Sequence, residues 1–289
     1  MIEKALIPVA GLGTRLRPVT AVLPKAMFPL VDPRGRLRTV VHLILAEAAA
    51  SGIRQAAVIV SPGQQEVIER YLDAARALAA QDAGEVGLPE EIEYIVQPEP
   101  EGFGEAVLRG REFAGSAEAF MLLLGDHVHV EDAGCPPCAG QVADAFGRRG
   151  GAAMVGMQTV GAEELSLVGA AGGEPIGQRL YRCTDFVEKP DLATARRRLT
   201  TPGLPADTFL AHCGIYVFTP EIFDCLAELA AAGPGEGQEV QLADAQSMLL
   251  GRHRAEYYLL RIAGRALDTG TPEGYAAAQA ALVAARRRS

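Results

Sequence analysis

Short apolar runs alternate with amphipathic stretches along the first half of the chain. Continuous apolar runs bounded by turn residues indicate buried strands, and apolar residues at helical spacing indicate helices packed on a core. The predicted strands cover residues 5–9, 56–60 and 92–97 and part of 117–125, the predicted helices cover 37–51 and 65–80, and a polar loop covers 82–90. This alternation is typical of an α/β protein with right-handed crossovers and a mostly parallel, doubly wound sheet.

The second half is richer in strands. The predicted strands are 152–160, 180–187, 211–218 and 257–262, and the predicted helices are 191–199, 220–232, 242–250 and 272–285. No internal repeat and no Pro/Ser-rich linker divides the chain. We therefore expect a single domain, 1–289, made of a first half, 1–130, and a second half, 131–289.

The composition excludes some partners. Among 289 residues the net charge is −9, which argues against nucleic acid, and the arginines at 286–288 are interpreted as a solvated helix end. No apolar run reaches membrane-spanning length, so no membrane partner is expected. Five cysteines, an odd number in a chain this long, favour reduced thiols and a cytoplasmic location.

The first predicted strand runs into a glycine-bearing turn that is followed by cationic side chains. Gly11 and Gly13 allow positive φ and close approach to an anion, and Arg15 and Lys25 supply positive charge. A loop at the carboxyl edge of a sheet is a common phosphate site in α/β proteins. A P-loop motif is absent, and Leu16 stands where a dinucleotide fingerprint needs its third glycine.

The composite A-G-x-G-T-R-L-x-P followed by P-K resembles the signature of sugar-1-phosphate nucleotidylyltransferases. Residues 5–32 resemble the bacterial UTP–glucose-1-phosphate uridylyltransferase version in particular. The resemblance implies a Rossmann-like, doubly wound mixed sheet of the nucleotide-diphospho-sugar transferase type, with a strand-rich sugar-binding half. It implies these nucleotide-binding residues: Ala10, Gly11, Leu12, Gly13, Thr14, Arg15, Lys25, Gln97, Gly102 and Asp126.

The segment 97–106 follows a predicted strand and opens a helix. The amide of Gln97 can pair with the imide edge of a pyrimidine, while Gly102 and Gly104 let a backbone approach. Taken alone, the segment reads as a Pro-rich turn before a helix. Beside the glycine turn, its Q-P-x-P-x-G pattern resembles the base-reading loop of thymidylyl- and uridylyltransferases.

Two aspartates follow apolar strands. Asp126 ends the run Leu122-Leu-Leu-Gly, and Asp268 lies in Leu267-Asp-Thr-Gly. Each can be a cap or turn residue, and each can hold Mg²⁺ with phosphates at a strand end. The resemblance pairs them as the metal ligands and makes Mg²⁺ the cofactor. The uridylyltransferases of this family often have Pro-Asp where this chain has Gly125-Asp126. The thymidylyl relatives have Gly-Asp, as this chain does.

A third motif, Glu188-Lys189-Pro190, is usually a solvated ion pair when isolated. In the family that it resembles, the glutamate binds sugar hydroxyls and the lysine binds the sugar phosphate. Tyr216 resembles part of the sugar-pocket strand and Gly169 matches a pocket glycine, although Val168 replaces the usual tyrosine before it. The resemblance thus implies Arg15, Lys25 and Lys189 as catalytic cations and Gly169, Glu188, Lys189 and Tyr216 as sugar-binding residues.

A competing pattern is H-x-H-x₅-C-x₂-C, formed by His127, His129, Cys135 and Cys138. These residue types suit zinc, and C-P-P-C also suits a redox pair. The Gly/Pro/Asp-rich surroundings favour a loop without a ligand. The segment 235–244 resembles a uridylyltransferase segment before a late helix, in which Glu239 is interpreted as a structural or interface residue.

The resemblance implies transfer of a nucleotidyl group from a nucleoside triphosphate to a sugar 1-phosphate. The opening segment and residues 235–244 favour UTP and glucose 1-phosphate as substrates. Residues 97–106 and 267–271 look closer to the dTTP relatives, so a dTTP–glucose-1-phosphate thymidylyltransferase is an alternative. A non-catalytic sugar-nucleotide sensor of the same fold is another alternative, and a dinucleotide-binding dehydrogenase fits poorly. Such relatives commonly form dimers or tetramers, so a homo-oligomer is expected.

Overall fold

A computed structural model describes residues 2–79, 87–233 and 239–286. The strands are β1 (Lys4–Pro8), β2 (Pro29–Val31), β3 (Leu37–Thr39), β4 (Gln55–Val60), β5 (Glu91–Val96), β6 (Phe120–Leu123), β7 (His127–Glu131), β8 (Ala153–Gly161), β9 (Gly169–Pro175), β10 (Leu180–Glu188), β11 (Thr208–Phe218), β12 (Tyr257–Arg261) and β13 (Gly264–Asp268). The helices are α1 (Val40–Ala50), α2 (Gln64–Ala79), α3 (Phe103–Arg109), α4 (Arg111–Ala114), α5 (Cys138–Arg149), α6 (Leu192–Arg198), α7 (Glu221–Ala232), α8 (Leu242–Arg252) and α9 (Pro272–Arg286).

Nine strands form one mixed sheet in the order β5-β4-β1-β6-β11-β8-β12-β10-β9. The pairs of β1 with β4 and β6, and of β4 with β5, are parallel, whereas β11 runs antiparallel to both β6 and β8. The prediction of an α/β protein with a doubly wound mixed sheet is confirmed. The expectation that the sheet is mostly parallel holds only for the first half, because strands β9 to β11 pair antiparallel with their neighbours.

Both faces of the sheet are covered, so successive residues of a central strand enter different cores. In β1, Ala5 and Ile7 belong to one buried cluster and Leu6 belongs to the other. Helices α1, α2, α5 and α9 contribute to the first cluster, and α3, α7 and α8 contribute to the second. A strand buried on both faces reads as a continuous apolar run, which is why β1, β4 and β6 were recognisable in the sequence.

The predicted helix 37–51 begins only at Val40, because Leu37–Thr39 is a strand that pairs antiparallel with β2. Strands β2, β3, β7, β9 and β13 and helices α4 and α5 were not predicted. The remaining predicted elements of the described residues are present with shifts of a few residues at their ends. Parts of the predicted loop 82–90, of the segment 235–244 and of the terminal arginines at 286–288 lie outside the described residues.

Among the described residues, no helix is both long enough and apolar enough to span a membrane. All five cysteines are free thiols, and four of them are buried.

Glu47 gives the fold a predictable pH dependence. Its half-buried carboxylate accepts a hydrogen bond from the Ala139 amide of α5 at 2.7 Å. Burial raises the pKa of Glu47 from 4.5 to about 7, despite that hydrogen bond. The folded protein therefore binds more protons than the unfolded chain between these values, and stability falls as pH rises through this window.

We expect Glu47→Gln to remove this loss, because glutamine still accepts from Ala139 and carries no charge. Its free energy of unfolding should exceed that of the wild type by about 1–2 kcal/mol at pH 8 and match it near pH 4. Urea denaturation at both pH values measures the difference. Glu66→Gln on the exposed face of α2 is the control, and an equal gain there at pH 8 would contradict the explanation.

Candidate active site

The loop that follows β1 lies at the carboxyl end of the parallel strands. Gly13 adopts a left-handed conformation with φ 60°, and its carbonyl accepts a hydrogen bond from the Thr20 hydroxyl at 2.8 Å. Gly11 was expected to have positive φ as well, which is wrong. A Cβ on Gly11 would lie 3.6 Å from the Lys25 ammonium, an ordinary van der Waals distance, so the two residues are neighbours in the fold.

Lys25 and Asp126 meet at the end of the central strands. The Lys25 ammonium lies 2.6 Å from Asp126 Oδ2, and both side chains are mostly shielded from solvent, with relative exposures of 18% and 26%. Asp126 reaches this position because Gly125 passes close to β1, where a Cβ would lie 2.2 Å from the Pro8 carbonyl oxygen. With this backbone, position 125 therefore accommodates glycine and no larger residue.

A two-stranded ribbon brings Asp268 to the same place. Strand β13 pairs antiparallel with β7, and the register sets Asp268 opposite His127. The Thr269 amide and hydroxyl both donate to the Asp126 carbonyl at 2.8 Å, which joins the two strand ends. The ligand atoms of Asp126, His127 and Asp268 lie within 4.8 Å of one another, and this is the one such group among the described residues.

Gly270 lies against both carboxylates. A Cβ at this glycine would lie 2.9 Å from Asp268 Oδ1 and 3.2 Å from Asp126 Oδ2, so a side chain here would crowd them. Carboxylate oxygens are the ligands that Mg²⁺ prefers, and those of Asp126 and Asp268 come within 4.8 Å of each other, so the chemistry of the predicted pair of ligands fits the ion.

The neighbouring His127 and Lys25 side chains keep Asp126 ionised. Burial acts to raise the pKa of Asp126, but a hydrogen bond from His127 and the charge of Lys25 outweigh it and hold the pKa far below its usual value. Burial acts to lower the pKa of His127, but the bond to Asp126 at 3.0 Å and its charge leave that pKa raised. A carboxylate held as an anion is what a cation or phosphate-bound metal requires.

The segment after β5 holds Gln97 in a buried position. Its backbone amide donates to the Val60 carbonyl of β4 at 2.8 Å. Its side-chain Nε2 donates to the Gly102 carbonyl at 3.1 Å and to Glu105 Oε2 at 2.6 Å. Gly102 has φ 105°, and a Cβ there would collide with Glu239, whose side chain packs against this turn.

Gly169 and Glu188 belong to the second group of predicted site residues, the one expected to bind the sugar. They lie opposite each other in the β9–β10 pair, and a Cβ on Gly169 would lie 2.7 Å from Glu188 Oε2. Lys189 has φ 48°, a left-handed conformation that is uncommon for non-glycine residues. Burial raises the pKa of Glu188, and the neighbouring Lys189 ammonium acts against this rise from 3.8 Å.

His212 lies beside these residues and was missed in the sequence. Its ring stacks on Phe186 with centroids 4.6 Å apart, and its Nδ1 is 3.4 Å from the Tyr216 hydroxyl. Burial lowers the pKa of His212 to about 3, so the ring is neutral at pH 7. Tyr216 itself is buried, and its ring stacks on Phe218. A histidine within an otherwise apolar predicted strand was the available signal.

The H-x-H-x₅-C-x₂-C residues do not form a joint ligand group. His127 lies with Asp126 and Asp268, whereas His129 Nε2 donates to the Cys213 carbonyl at 2.8 Å. Cys138 is fully buried at the start of α5, and burial raises the pKa of its thiol, so it is not an activated thiolate. The part of the chain that the structure describes therefore offers no zinc site here.

The structure brings together Lys25, Asp126 and Asp268, and separately Gly169, Glu188 and Tyr216 near His212. Arg15 is exposed on the short helical turn after Gly13 and makes no ion pair or hydrogen bond with the described residues. The contacts of Glu105 with Gln97 and of His127 with the aspartates were also missed, because they depend on the folded turn and on strand pairing.

Known proteins resemble this chain over most of its length. The UTP–glucose-1-phosphate uridylyltransferase 2 of Staphylococcus saprophyticus is 34% identical over 286 residues, covering 95% of this chain and 89% of that protein. The UTP–glucose-1-phosphate uridylyltransferase of Bacillus subtilis is 34% identical over 285 residues, covering 95% of this chain and 88% of that protein. The crystal structure of UDP-glucose pyrophosphorylase complexed with UDP-glucose superposes with a TM-score of 0.76 at 26% identity, covering 100% of this chain and 98% of that chain. The nucleotidyl transferase family model matches residues 4–285, and the chain belongs to that family.

Proposed function

We propose that this protein transfers the uridylyl group of UTP to glucose 1-phosphate, giving UDP-glucose and pyrophosphate. The observation that carries the proposal is the meeting of Lys25, Asp126 and Asp268 at the carboxyl edge of the central strands, beside the exposed glycine loop. Family membership and relatives named uridylyltransferases support it.

The reaction needs no protein nucleophile. A phosphate oxygen of glucose 1-phosphate, already anionic, attacks the α-phosphorus of UTP, and the bond from that phosphorus to the bridging oxygen of the β-phosphate breaks. Pyrophosphate leaves with both electrons of that bond. Catalysis then depends on in-line positioning of the two substrates and on neutralising their negative charge.

Three cations of the chain are assigned to the phosphates. Lys25 binds the α-phosphate from its position beside Asp126, Arg15 stabilises the departing pyrophosphate from the exposed turn, and Lys189 binds the sugar phosphate. Asp126 and Asp268 would hold Mg²⁺, as the approach of their ligand atoms to within 4.8 Å supports. When bound, the ion offsets charge on the phosphate oxygens.

The other predicted site residues divide into those that bind the nucleotide and those that bind the sugar. Residues 10–14 and Gly102 approach the nucleotide with their backbone, and Gln97 reads the base. Glu188 accepts hydrogen bonds from sugar hydroxyls, with Gly169 and Tyr216 shaping the pocket around them. We also propose that the halves 1–130 and 131–289 carry the nucleotide and the sugar respectively, and that the protein acts as a cytoplasmic homo-oligomer.

The direct test is to incubate the purified protein and Mg²⁺ with glucose 1-phosphate and each nucleoside triphosphate, and to weigh the products by mass spectrometry. UDP-glucose and pyrophosphate are the expected products. A dTDP-sugar as the main product would favour the thymidylyltransferase alternative. Nucleotide binding without pyrophosphate from any triphosphate would contradict catalysis and favour a sensor.

Gly169→Ala is expected to weaken binding of the sugar substrate selectively. The added Cβ would lie 2.7 Å from Glu188 Oε2 and 3.1 Å from the Phe186 ring, so the carboxylate must shift. Displacing a positioning group by such a distance should raise KM for glucose 1-phosphate about tenfold or more, with KM for UTP unchanged. Gly147→Ala, where a Cβ meets nothing within 4 Å, is the matched control. Equal effects on both substrates would contradict the assignment.

A further inference from the structure

The contacts of Gln97 determine which way its side-chain amide faces. One amide carries two N–H donors on Nε2 and an acceptor oxygen, Oε1. Nε2 lies 3.1 Å from the Gly102 carbonyl oxygen and 2.6 Å from Glu105 Oε2, and both of these partners are acceptors. Turning the amide over would set Oε1 against two acceptors, so only one orientation satisfies the site.

Glu105 is itself held in place. Its other oxygen, Oε1, lies 2.5 Å from the Arg109 guanidinium one turn along α3, and its side chain is only 15% exposed. An ionised carboxylate accepts hydrogen bonds and donates none. The acceptor that faces Gln97 Nε2 is therefore fixed in both position and chemistry.

We propose that Glu105 is a positioning residue that sets nucleobase specificity by locking Gln97 with Oε1 available to the base. This inference rests on the proposed function only in that the base is read at Gln97. No described residue donates to Gln97 Oε1. Both donors of the amide are used within the protein, so what remains for a ligand is an acceptor.

An acceptor at this point selects bases by the proton on their ring nitrogen. The imide N3–H of uracil or thymine donates to Oε1. Cytosine has nearly the same size and shape but presents an unprotonated N3, so two acceptors face each other. A site built around one hydrogen-bonding pattern rejects an analogue of the wrong pattern strongly, because buried polar groups are left unpaired.

The test compares the binding of UTP and CTP to the wild type and to Glu105→Gln, by titration calorimetry in EDTA so that no turnover occurs. The wild type should prefer UTP about 100-fold or more. Glutamine at 105 can turn its own amide and donate to Gln97 Oε1, so the flipped orientation becomes accessible. The UTP:CTP ratio should fall about tenfold or more. It should not vanish, because the Gly102 carbonyl still favours the original orientation.

Glu112→Gln makes the same chemical change on α4, on an exposed side chain, and should leave the ratio unchanged. An unchanged ratio in Glu105→Gln, or an equal fall in Glu112→Gln, would overturn the proposal. A merely structural defect at 105 would weaken both nucleotides in proportion and leave the ratio unchanged.

A second measurement needs no variant. UTP methylated at N3 has lost the donor that Oε1 accepts, so the wild type should bind it at least about tenfold more weakly than UTP. Equal binding of the two would overturn the proposal. The product assay described above separates this result from the proposed function, because a wild type that turns over UTP without discriminating at N3 defeats only the role of Glu105.

Discussion

Lys25→Met is expected to lower the rate of pyrophosphate release from UTP and glucose 1-phosphate by about 100- to 1,000-fold. The ammonium lies 2.6 Å from Asp126 and beside Gly11, where the loop and the metal-binding carboxylates meet. Removing one fixed donor from the position of developing charge costs about 3–4 kcal/mol of transition-state stabilisation. Methionine keeps the side chain as far as Cε, so the packing of the lysine stem is largely retained.

The rate should be measured with both substrates saturating, so that the effect is on kcat. Arg70→Met removes an exposed cation from α2 and serves as the control, which should keep the wild-type rate. Thermal unfolding of both variants shows whether the fold is intact. A folded Lys25→Met protein with near-normal kcat would contradict the role of this lysine.

Asp268→Asn is expected to reduce turnover about a thousandfold or more, and to raise the Mg²⁺ concentration needed for half-maximal rate. Asparagine retains an oxygen that can accept from the Gly270 amide, as Asp268 Oδ1 does at 2.6 Å, so the turn is preserved. What is lost is one of the two carboxylate charges that would hold the metal. A metal that supplies several kcal/mol of charge stabilisation loses most of it when it is no longer held.

The metal dependence separates this effect from a structural one. Turnover should recover partly in Asp268→Asn as Mg²⁺ is raised, whereas a misfolded site would not respond. Asp73→Asn on the exposed side of α2 is the matched control and should keep the wild-type dependence. Wild-type Mg²⁺ dependence in a folded Asp268→Asn protein would contradict the assignment of Asp268 as a ligand.

Local sequence predicted those parts of the site that lie at the ends of buried strands. The run 5–9 and the run before Asp126 are continuously apolar because β1 and β6 are covered on both faces, and the residues that follow them therefore had to emerge at one edge. The glycine loop, Lys25 and Asp126 are adjacent in the fold for this reason.

Other parts depend on pairings between distant segments, which no local pattern encodes. Strand β7 has only five residues, and its His-Val-His-Val-Glu sequence was interpreted as part of a loop. Strand β13 is equally short, yet the pairing of the two brings Asp268 opposite His127. Strand β9 consists mainly of glycine and alanine, which β-propensity disfavours, and it is fixed by β10 and β11 on either side. Gly11 was expected to have positive φ, but it does not, and a Cβ there would meet Lys25 only at an ordinary contact distance of 3.6 Å.

The central claim is that Lys25 and a metal held by Asp126 and Asp268 offset the negative charge of the substrates. The most direct test is a crystal structure with a non-hydrolysable UTP analogue and Mn²⁺ in place of Mg²⁺. The anomalous signal of Mn²⁺ should lie between Asp126 and Asp268, with the α-phosphate in contact with Lys25. Manganese bound elsewhere, or a triphosphate that reaches neither Lys25 nor the two aspartates, would contradict the account.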